Sequence, residues 1–165
     1  MKVLLSALVL AAAPAFAATA VVGQPAPAFS VTDTSGKAVS LADFKGKTVV
    51  LEWVNPGCPY VRKHYDSANM QTTQKGVAGQ GVVWLAVNST AQDHYDYKKP
   101  ADMAAWMQSQ KAAATHTLMD SDGKIGKAYG ARTTPHMYIV DAKGTLAYAG
   151  GIDDKPSSNP ADVKT

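Results

Sequence analysis

The chain has 165 residues, with 16 Lys and Arg against 13 Asp and Glu, and therefore a formal net charge of +3. The basic residues are scattered rather than clustered in one stretch, so the charge gives no reason to expect a nucleic-acid partner. The length is enough for one domain with its own hydrophobic core.

The first 20 residues have the pattern of a secretory signal peptide. Lys2 supplies the positive charge, an apolar run covers 3–13, and small residues define a cleavage site after Ala17, with a second one after Ala20. The apolar run is shorter than the roughly 20 residues of a transmembrane helix, and no cysteine follows it to carry a lipid. We therefore expect an exported protein of the bacterial periplasm without a stable membrane anchor, and a single domain over 21–165.

The mature segment opens with two short alternating stretches, 29–33 and 37–41, which predict a β-hairpin around a Ser-Gly turn. Two apolar runs, 49–54 and 82–87, predict strands that are buried on both faces. Such strands need helices above and below the sheet, so the pattern favours an α/β fold.

Proline positions mark the starts of the helices that would cover this sheet. Pro59 and Pro100 each suit a first helical position, because the N–H that proline lacks has no partner there. The pattern predicts a single helix over 60–75, with Ala68 on its apolar face. Shorter segments complete the prediction, namely a helix at 124–129 and strands at 118–120, 136–140 and 145–149.

Cys58 is the only cysteine of the chain, and it falls where the strand 49–54 ends and the helix beginning with Pro59 starts. The unpaired N–H groups and the positive end of the helix dipole favour an anion there, and Arg62 and Lys63 add positive charge one turn later. Thiols in such surroundings have pKa values lowered from about 8.5 to roughly 3.5–7.5, so they react as thiolates. The alternative is a structural cysteine buried in the core.

Two segments, 55–65 (NPGCPYVRKHY) and 129–141 (YGARTTPHMYIVD), resemble the thioredoxin-fold redoxins, specifically the branch of alkyl hydroperoxide reductase and thiol-specific antioxidant proteins. The resemblance covers 22–154 and implies a thioredoxin-like, three-layer α/β/α fold with a central mixed sheet and an N-terminal hairpin. It also implies a thiol-dependent oxidoreductase with antioxidant, peroxide-reducing activity through a single nucleophilic cysteine.

Two departures from better-known relatives keep other reactions open. Val61 stands at the second cysteine position of the thioredoxin Cys-x-x-Cys motif, and Leu51 and Asn55 stand at the proline and threonine positions of the peroxiredoxin motif Pro-x-x-x-Thr-x-x-Cys. The resemblance therefore implies that the substrate is a peroxide or a protein or small-molecule disulfide, and we expect an external thiol reductant to resolve the oxidised Cys58. A redox-inactive binding module of the same fold is the alternative from a different class.

The resemblance implies further site residues. Pro135 is expected to follow a cis peptide bond beside Cys58, so that Thr134 presents its backbone to a bound thiol or disulfide. Arg132 is close enough in sequence to hold a thiolate or a peroxide oxygen, the alternative being an arginine that faces solvent. Pro59 contributes by fixing the start of the helix behind the thiol.

Glu52 is the only glutamate of the chain and lies six residues before Cys58, where thioredoxins carry a buried carboxylate that relays protons. A carboxylate among valines is costly to desolvate, so burial would raise its pKa and suit it to proton transfer. The alternative is that this face of the strand is partly wet.

The remaining sequence signals concern metals and the C-terminus. The four histidines are not spaced as metal ligands, so we expect no metal, and no other cofactor is expected. Asn159 and Pro160 have the pattern of an N-cap and a first helical residue. Because this helix would start only about five residues before Thr165, we expect the closing C-terminal helix to be missing and the domain to be C-terminally incomplete.

Overall fold

The computed structural model describes residues 19–164, so the predicted signal sequence up to residue 18, including the cleavage site after Ala17, lies outside the described residues. Seven strands and four α-helices are present in this part of the chain. The strands are β1 (Ser30–Thr32), β2 (Ala38–Ser40), β3 (Val49–Trp53), β4 (Val83–Asn88), β5 (His116–Met119), β6 (His136–Val140) and β7 (Leu146–Gly150). The helices are α1 (Pro59–Asp66), α2 (Asn69–Ala78), α3 (Pro100–Ser109) and α4 (Lys124–Tyr129), with 3-10 turns at Leu41–Phe44 and Pro160–Lys164.

The central sheet has the strand order β5-β4-β3-β6-β7. Strands β3, β4 and β5 run parallel, whereas β6 pairs antiparallel with β3 and with β7. All residues of β3 and β4 are buried, as expected for strands that are covered on both faces. The predicted hairpin is confirmed, because β1 and β2 pair antiparallel as a separate two-stranded sheet.

Two apolar clusters lie on opposite faces of the sheet, as the alternation along β3 requires. Leu51 and Trp53 face the hairpin and α4 on one side, whereas Val50 faces α1, α2 and α3 on the other. The protein therefore has the three-layer α/β/α arrangement with a mixed central sheet that the resemblance implied.

The prediction of one helix over 60–75 is wrong. Helix α1 ends at Asp66, and α2 begins at Asn69 after Ala68, which has the left-handed φ of 61° and is exposed rather than part of an apolar face. The break changes the direction of the chain so that the amides of Gln71 and Gln74 are buried. Gln71 Nε2 donates to the carbonyl oxygen of Tyr65 at 2.9 Å, a bond that a continuous helix could not make.

Lys63, which the sequence shows only as positive charge one turn after Cys58, is a buried residue. Its side chain is 1% exposed, and Nζ lies 2.6 Å from Asp153 Oδ2. The partner stands 90 residues later in the chain, so only the fold reveals the pair. Near the C-terminus the N-cap signal is confirmed, because Asn159 Oδ1 accepts a hydrogen bond from Ala161 N at 3.0 Å.

Candidate active site

Cys58 is held at the end of β3 by a tight turn and a helix start. The side chain of Asn55 accepts a hydrogen bond from Gly57 N at 2.7 Å, and the carbonyl oxygen of Asn55 accepts one from Cys58 N at 3.0 Å. Cys58 is the N-cap residue of α1, and Pro59 occupies the first helical position. The thiol is half-buried, so it lies at the surface beside the positive end of a helix, as the sequence predicts.

The thiol meets the segment before β6, far along the chain. Cys58 Sγ donates to the carbonyl oxygen of Thr134 at 3.0 Å, and the Thr134–Pro135 peptide bond is cis. The pairing of Trp53 with His136 across β3 and β6 brings the two segments to the same end of the sheet. The expectation that Pro135 is cis and that the Thr134 backbone lies at the thiol is therefore confirmed.

Glu52 is fully buried on the face of β3 that α1, α2 and α3 cover. Its carboxylate accepts hydrogen bonds from Tyr65 Oη at 2.9 Å, from Trp84 Nε1 at 2.7 Å and from Gln74 Nε2 at 3.2 Å. Burial raises the pKa of Glu52 to about 7, although the three hydrogen bonds act in the opposite direction. The alternative of a partly wet face is wrong, because the side chain is fully buried.

The two arginines at this end of the sheet are placed differently. Arg62 is exposed, and its Nε donates to the carbonyl oxygen of Pro56 at 3.1 Å, so it braces the turn that carries Cys58. Arg132 is also exposed and lines a cavity of about 240 Å³ together with Thr133, Thr134 and residues of β3 and the segment after β4. Arg132 is therefore exposed to solvent, in agreement with the solvent-facing alternative.

Sequence reasoning missed a second cavity of about 360 Å³ beside the cis-proline segment. It lies between α1 and the segment that follows β7, and Tyr60, Pro135 and Ile152 contribute apolar surface. Residue 153 fixes this segment to α1, because Asp153 Oδ2 contacts both Lys63 Nζ and, at 3.4 Å, His64 Nε2. In the sequence, only the two adjacent aspartates Asp153 and Asp154 hint at an ion pair in this segment. Nothing in this polar, turn-rich stretch indicates that the partner of Asp153 is a buried lysine.

The described residues also bear on metals and membranes. Between residues 19 and 164 no group of three His, Cys, Asp or Glu side chains is arranged to hold a metal ion. Within the same residues no helix combines the length and the apolar character needed to cross a membrane.

A mixed sheet of this order, with a helix-capping cysteine opposite a cis-proline, defines a thioredoxin-like protein with a redox-type thiol site. The chain belongs to the AhpC/TSA family, whose family model matches residues 22–149. The resemblance that the motifs around Cys58 and Pro135 indicated is thereby confirmed.

Relatives of two kinds are similar to this chain. The thiol:disulfide interchange protein DsbE of Yersinia pestis is 26% identical over 148 residues, which cover 86% of this chain and 71% of that protein. The peroxiredoxin-like protein bcp of Coxiella burnetii is 27% identical over 135 residues, which cover 76% of this chain and 85% of that protein. The chain is therefore a thiol oxidoreductase, and the two relatives differ in the reaction that their names describe.

A solved structure supports the fold. The thioredoxin domain of a thiol-disulfide oxidoreductase from Bacteroides vulgatus superimposes with a TM-score of 0.63 at 24% identity. The match covers 88% of this chain and 97% of that domain. At this level of identity the likeness concerns the thioredoxin-like fold.

Proposed function

We propose that this protein catalyses thiol–disulfide exchange through Cys58. The thiolate attacks one sulfur of a substrate disulfide, the substrate S–S bond breaks, and the departing thiolate takes a proton from water. Because the chain has one cysteine, an external thiol then attacks the mixed disulfide and releases Cys58 as a thiolate. The observation that carries the proposal is the 3.0 Å contact between Cys58 Sγ and the Thr134 carbonyl oxygen beside a cis-proline.

Three further observations favour disulfide exchange over peroxide reduction. Asn55 stands at the threonine position of the peroxiredoxin motif, and its side-chain oxygen is engaged in accepting from Gly57 N within the turn. Leu51, at the proline position of that motif, is a fully buried core residue of β3. The cavity beside Pro135 also offers apolar surface to the chain that flanks a substrate disulfide.

Peroxide reduction is the second candidate, and the family match and the Coxiella burnetii relative favour it. In this reaction the thiolate attacks one peroxide oxygen, the O–O bond breaks, and the second oxygen leaves as water or an alcohol after protonation. Cys58 becomes a sulfenic acid, which two equivalents of external thiol return to the thiol.

One experiment separates the two reactions. The purified protein is mixed with a neutral alkyl disulfide or with hydrogen peroxide, and intact mass follows the mixed disulfide or the trapped sulfenic acid. We expect the second-order rate constant for the disulfide to exceed that of the urea-unfolded chain by about tenfold or more, because the fold orients the thiol. Cys58→Ser is the control for unspecific labelling.

The result has three clear outcomes. If the folded chain reacts faster with the disulfide than the unfolded chain does, the proposal is supported. If folding accelerates only the reaction with peroxide, the second candidate is supported. Equal rates for the folded and the unfolded chain with both reagents would contradict both reactions and favour a redox-inactive binding module.

We further propose that the protein is exported to the periplasm and that cleavage follows Ala17 rather than Ala20. Ala20 N donates to the Ala128 carbonyl oxygen at 2.9 Å, and the Ala20 side chain packs against the core. Cleavage after Ala20 would remove this contact, whereas cleavage after Ala17 keeps it. N-terminal sequencing of the exported protein should give Ala18 as the first residue, and a start at Val21 would contradict this choice.

A further inference from the structure

The carboxylate of Asp96 lies directly against Gly57, the residue before Cys58. A Cβ atom on Gly57 would stand 2.7 Å from Asp96 Oδ1 and 2.9 Å from Oδ2, which is closer than side chains pack. The φ angle of Gly57 is outside the left-handed region, so its backbone does not require glycine. Gly57 therefore leaves room for the Asp96 carboxylate, which a larger residue would displace.

This carboxylate is unpaired within residues 19–164. Asp96 belongs to the segment between β4 and α3, and its backbone N–H donates to His94 Nδ1 at 3.1 Å, but no described donor or cation contacts its side chain. The residue is only half-buried, so its charge acts on molecules that approach from solvent. The 2.7 Å distance, ordinary bond lengths and the 3.8 Å spacing of neighbouring Cα atoms put the carboxylate within about 11 Å of the Cys58 sulfur.

Other charged groups, both positive and negative, lie at the same end of the sheet and also affect the approach of a charged reagent. Arg62 Nε donates to the Pro56 carbonyl oxygen, and Arg132 lines a cavity together with Thr133 and Thr134. Asp154 is exposed on the segment after β7, whereas Asp153 is paired with Lys63. Arg62 and Asp96 both contact the turn that carries the thiol. Asp96 differs because Arg62 Nε is engaged with the Pro56 carbonyl oxygen, whereas no described donor or cation contacts the Asp96 carboxylate.

We propose that Asp96 is a specificity-determining residue that makes Cys58 react faster with positively charged disulfides than with negatively charged ones. In polypeptides these are disulfides with Lys or Arg beside the cysteine. The assignment rests on the thiol–disulfide exchange proposed above and names its substrate class. Unit charges about 10 Å apart change an encounter roughly twofold in water and more at a protein surface, so cationic and anionic reagents should differ by about 3- to 10-fold.

The test compares three alkyl disulfides, namely cystamine, 2-hydroxyethyl disulfide and 3,3′-dithiodipropionate, which are cationic, neutral and anionic. Formation of the mixed disulfide is followed by intact mass, and each rate constant is divided by that of 2-mercaptoethanol with the same reagent. This division removes differences in intrinsic reactivity. The ratio of the cationic to the anionic value is the readout, because a change in the nucleophilicity of Cys58 cancels from it.

Three variants assign the ratio to Asp96. Asp96→Asn removes the charge and keeps the shape, so we expect the ratio to fall to about 1–2. Gly57→Ala keeps the charge but displaces the carboxylate, so the ratio should fall in part. Asp93→Asn is the matched control, because it removes an exposed carboxylate from the same segment, and it should keep the wild-type ratio.

The outcomes distinguish this assignment from the proposed function. Suppose the neutral disulfide reacts as the proposed function requires. The role of Asp96 alone is then overturned if the wild-type ratio is near or below 1, or if the ratio is unchanged in Asp96→Asn. A neutral disulfide that reacts no faster than with the unfolded chain overturns both. Two blocked peptide disulfides that differ in Lys or Glu beside the cysteine should repeat the preference, and equal rates for the two would overturn the polypeptide substrate class.

Discussion

At the scale of single residues, Glu52 shows how a buried carboxyl group makes stability depend on pH. Its three hydrogen-bond donors, Tyr65, Gln74 and Trp84, are neutral, and no cation is among these partners. Burial raises the pKa of Glu52 from the ordinary 4.5 to about 7, whereas an unfolded chain regains the ordinary value. Between these two pH values the folded chain binds more protons, so the free energy of unfolding falls as the pH rises.

We predict that Glu52→Gln removes this dependence. The amide keeps the shape of the side chain but does not ionise, so the wild type should lose about 3 kcal/mol of unfolding free energy relative to the variant between about pH 4 and pH 8. Urea denaturation at a series of pH values measures the difference. Tyr65→Phe is the contrast, because it keeps the carboxyl group but removes a hydrogen bond that lowers its pKa, so the pH dependence should persist and extend to higher pH. Parallel pH curves for the wild type and Glu52→Gln would contradict the prediction.

At the scale of elements, the break between α1 and α2 places the donors around Glu52. Ala68 adopts a φ of 61°, and only after this turn does α2 present Gln74 to the carboxylate. Gln74 also accepts from Ala113 N at 2.7 Å, so one amide joins α2, β3 and the segment after α3. A residue with a Cβ is strained in the left-handed region, and this turn is therefore a local cost of the arrangement.

We predict that Ala68→Gly stabilises the protein by about 0.5–1 kcal/mol, because glycine adopts the left-handed conformation without strain. Ala105→Gly provides the contrast, since Ala105 is exposed within α3 and the same change there should cost about 0.5–1 kcal/mol. Thermal unfolding of the two variants measures both signs. Destabilisation of similar size in both would show that the turn carries no strain.

At the scale of the whole molecule, the segment after β7 is held to α1 by polar contacts that include the ion pair of the buried Lys63 with Asp153. Lys63 is 1% exposed, and Asp153 is 28% exposed, so the ammonium group depends on this carboxylate more than the carboxylate depends on it. The same segment forms one wall of the cavity beside Pro135. The Lys63–Asp153 pair therefore contributes both to the stability of the protein and to the shape of the cavity beside Pro135.

We predict unequal costs for the two halves of this pair. Asp153→Asn leaves a buried ammonium group without its ionic partner and should cost about 2–3 kcal/mol, less than a fully buried pair because Asp153 is partly exposed. Lys63→Met removes the buried charge itself and should cost less than about 1 kcal/mol. Urea denaturation at constant pH measures both, and equal costs would contradict the asymmetry.

The sequence by itself determined the features that depend on near neighbours. Apolar runs gave β3 and β4, Pro59 and Pro100 gave the starts of α1 and α3, and the hairpin followed from alternation. These signals are local, because periodicity and the missing N–H of proline act over a few residues. The approach of Pro135 to Cys58 followed from a family resemblance and not from any spacing.

The tertiary structure decided what depends on residues that are far apart in the chain. Cys58 and Thr134 are 76 residues apart, Lys63 and Asp153 are 90 apart, and the segment 89–99 brings Asp96 onto Gly57. The sequence around Lys63 does not distinguish a buried lysine from a solvated one. Likewise, the sequence around Gly57 does not show that a side chain there would collide with Asp96. Their surroundings exist only after the sheet has aligned its strands, and so their chemistry is a property of the fold.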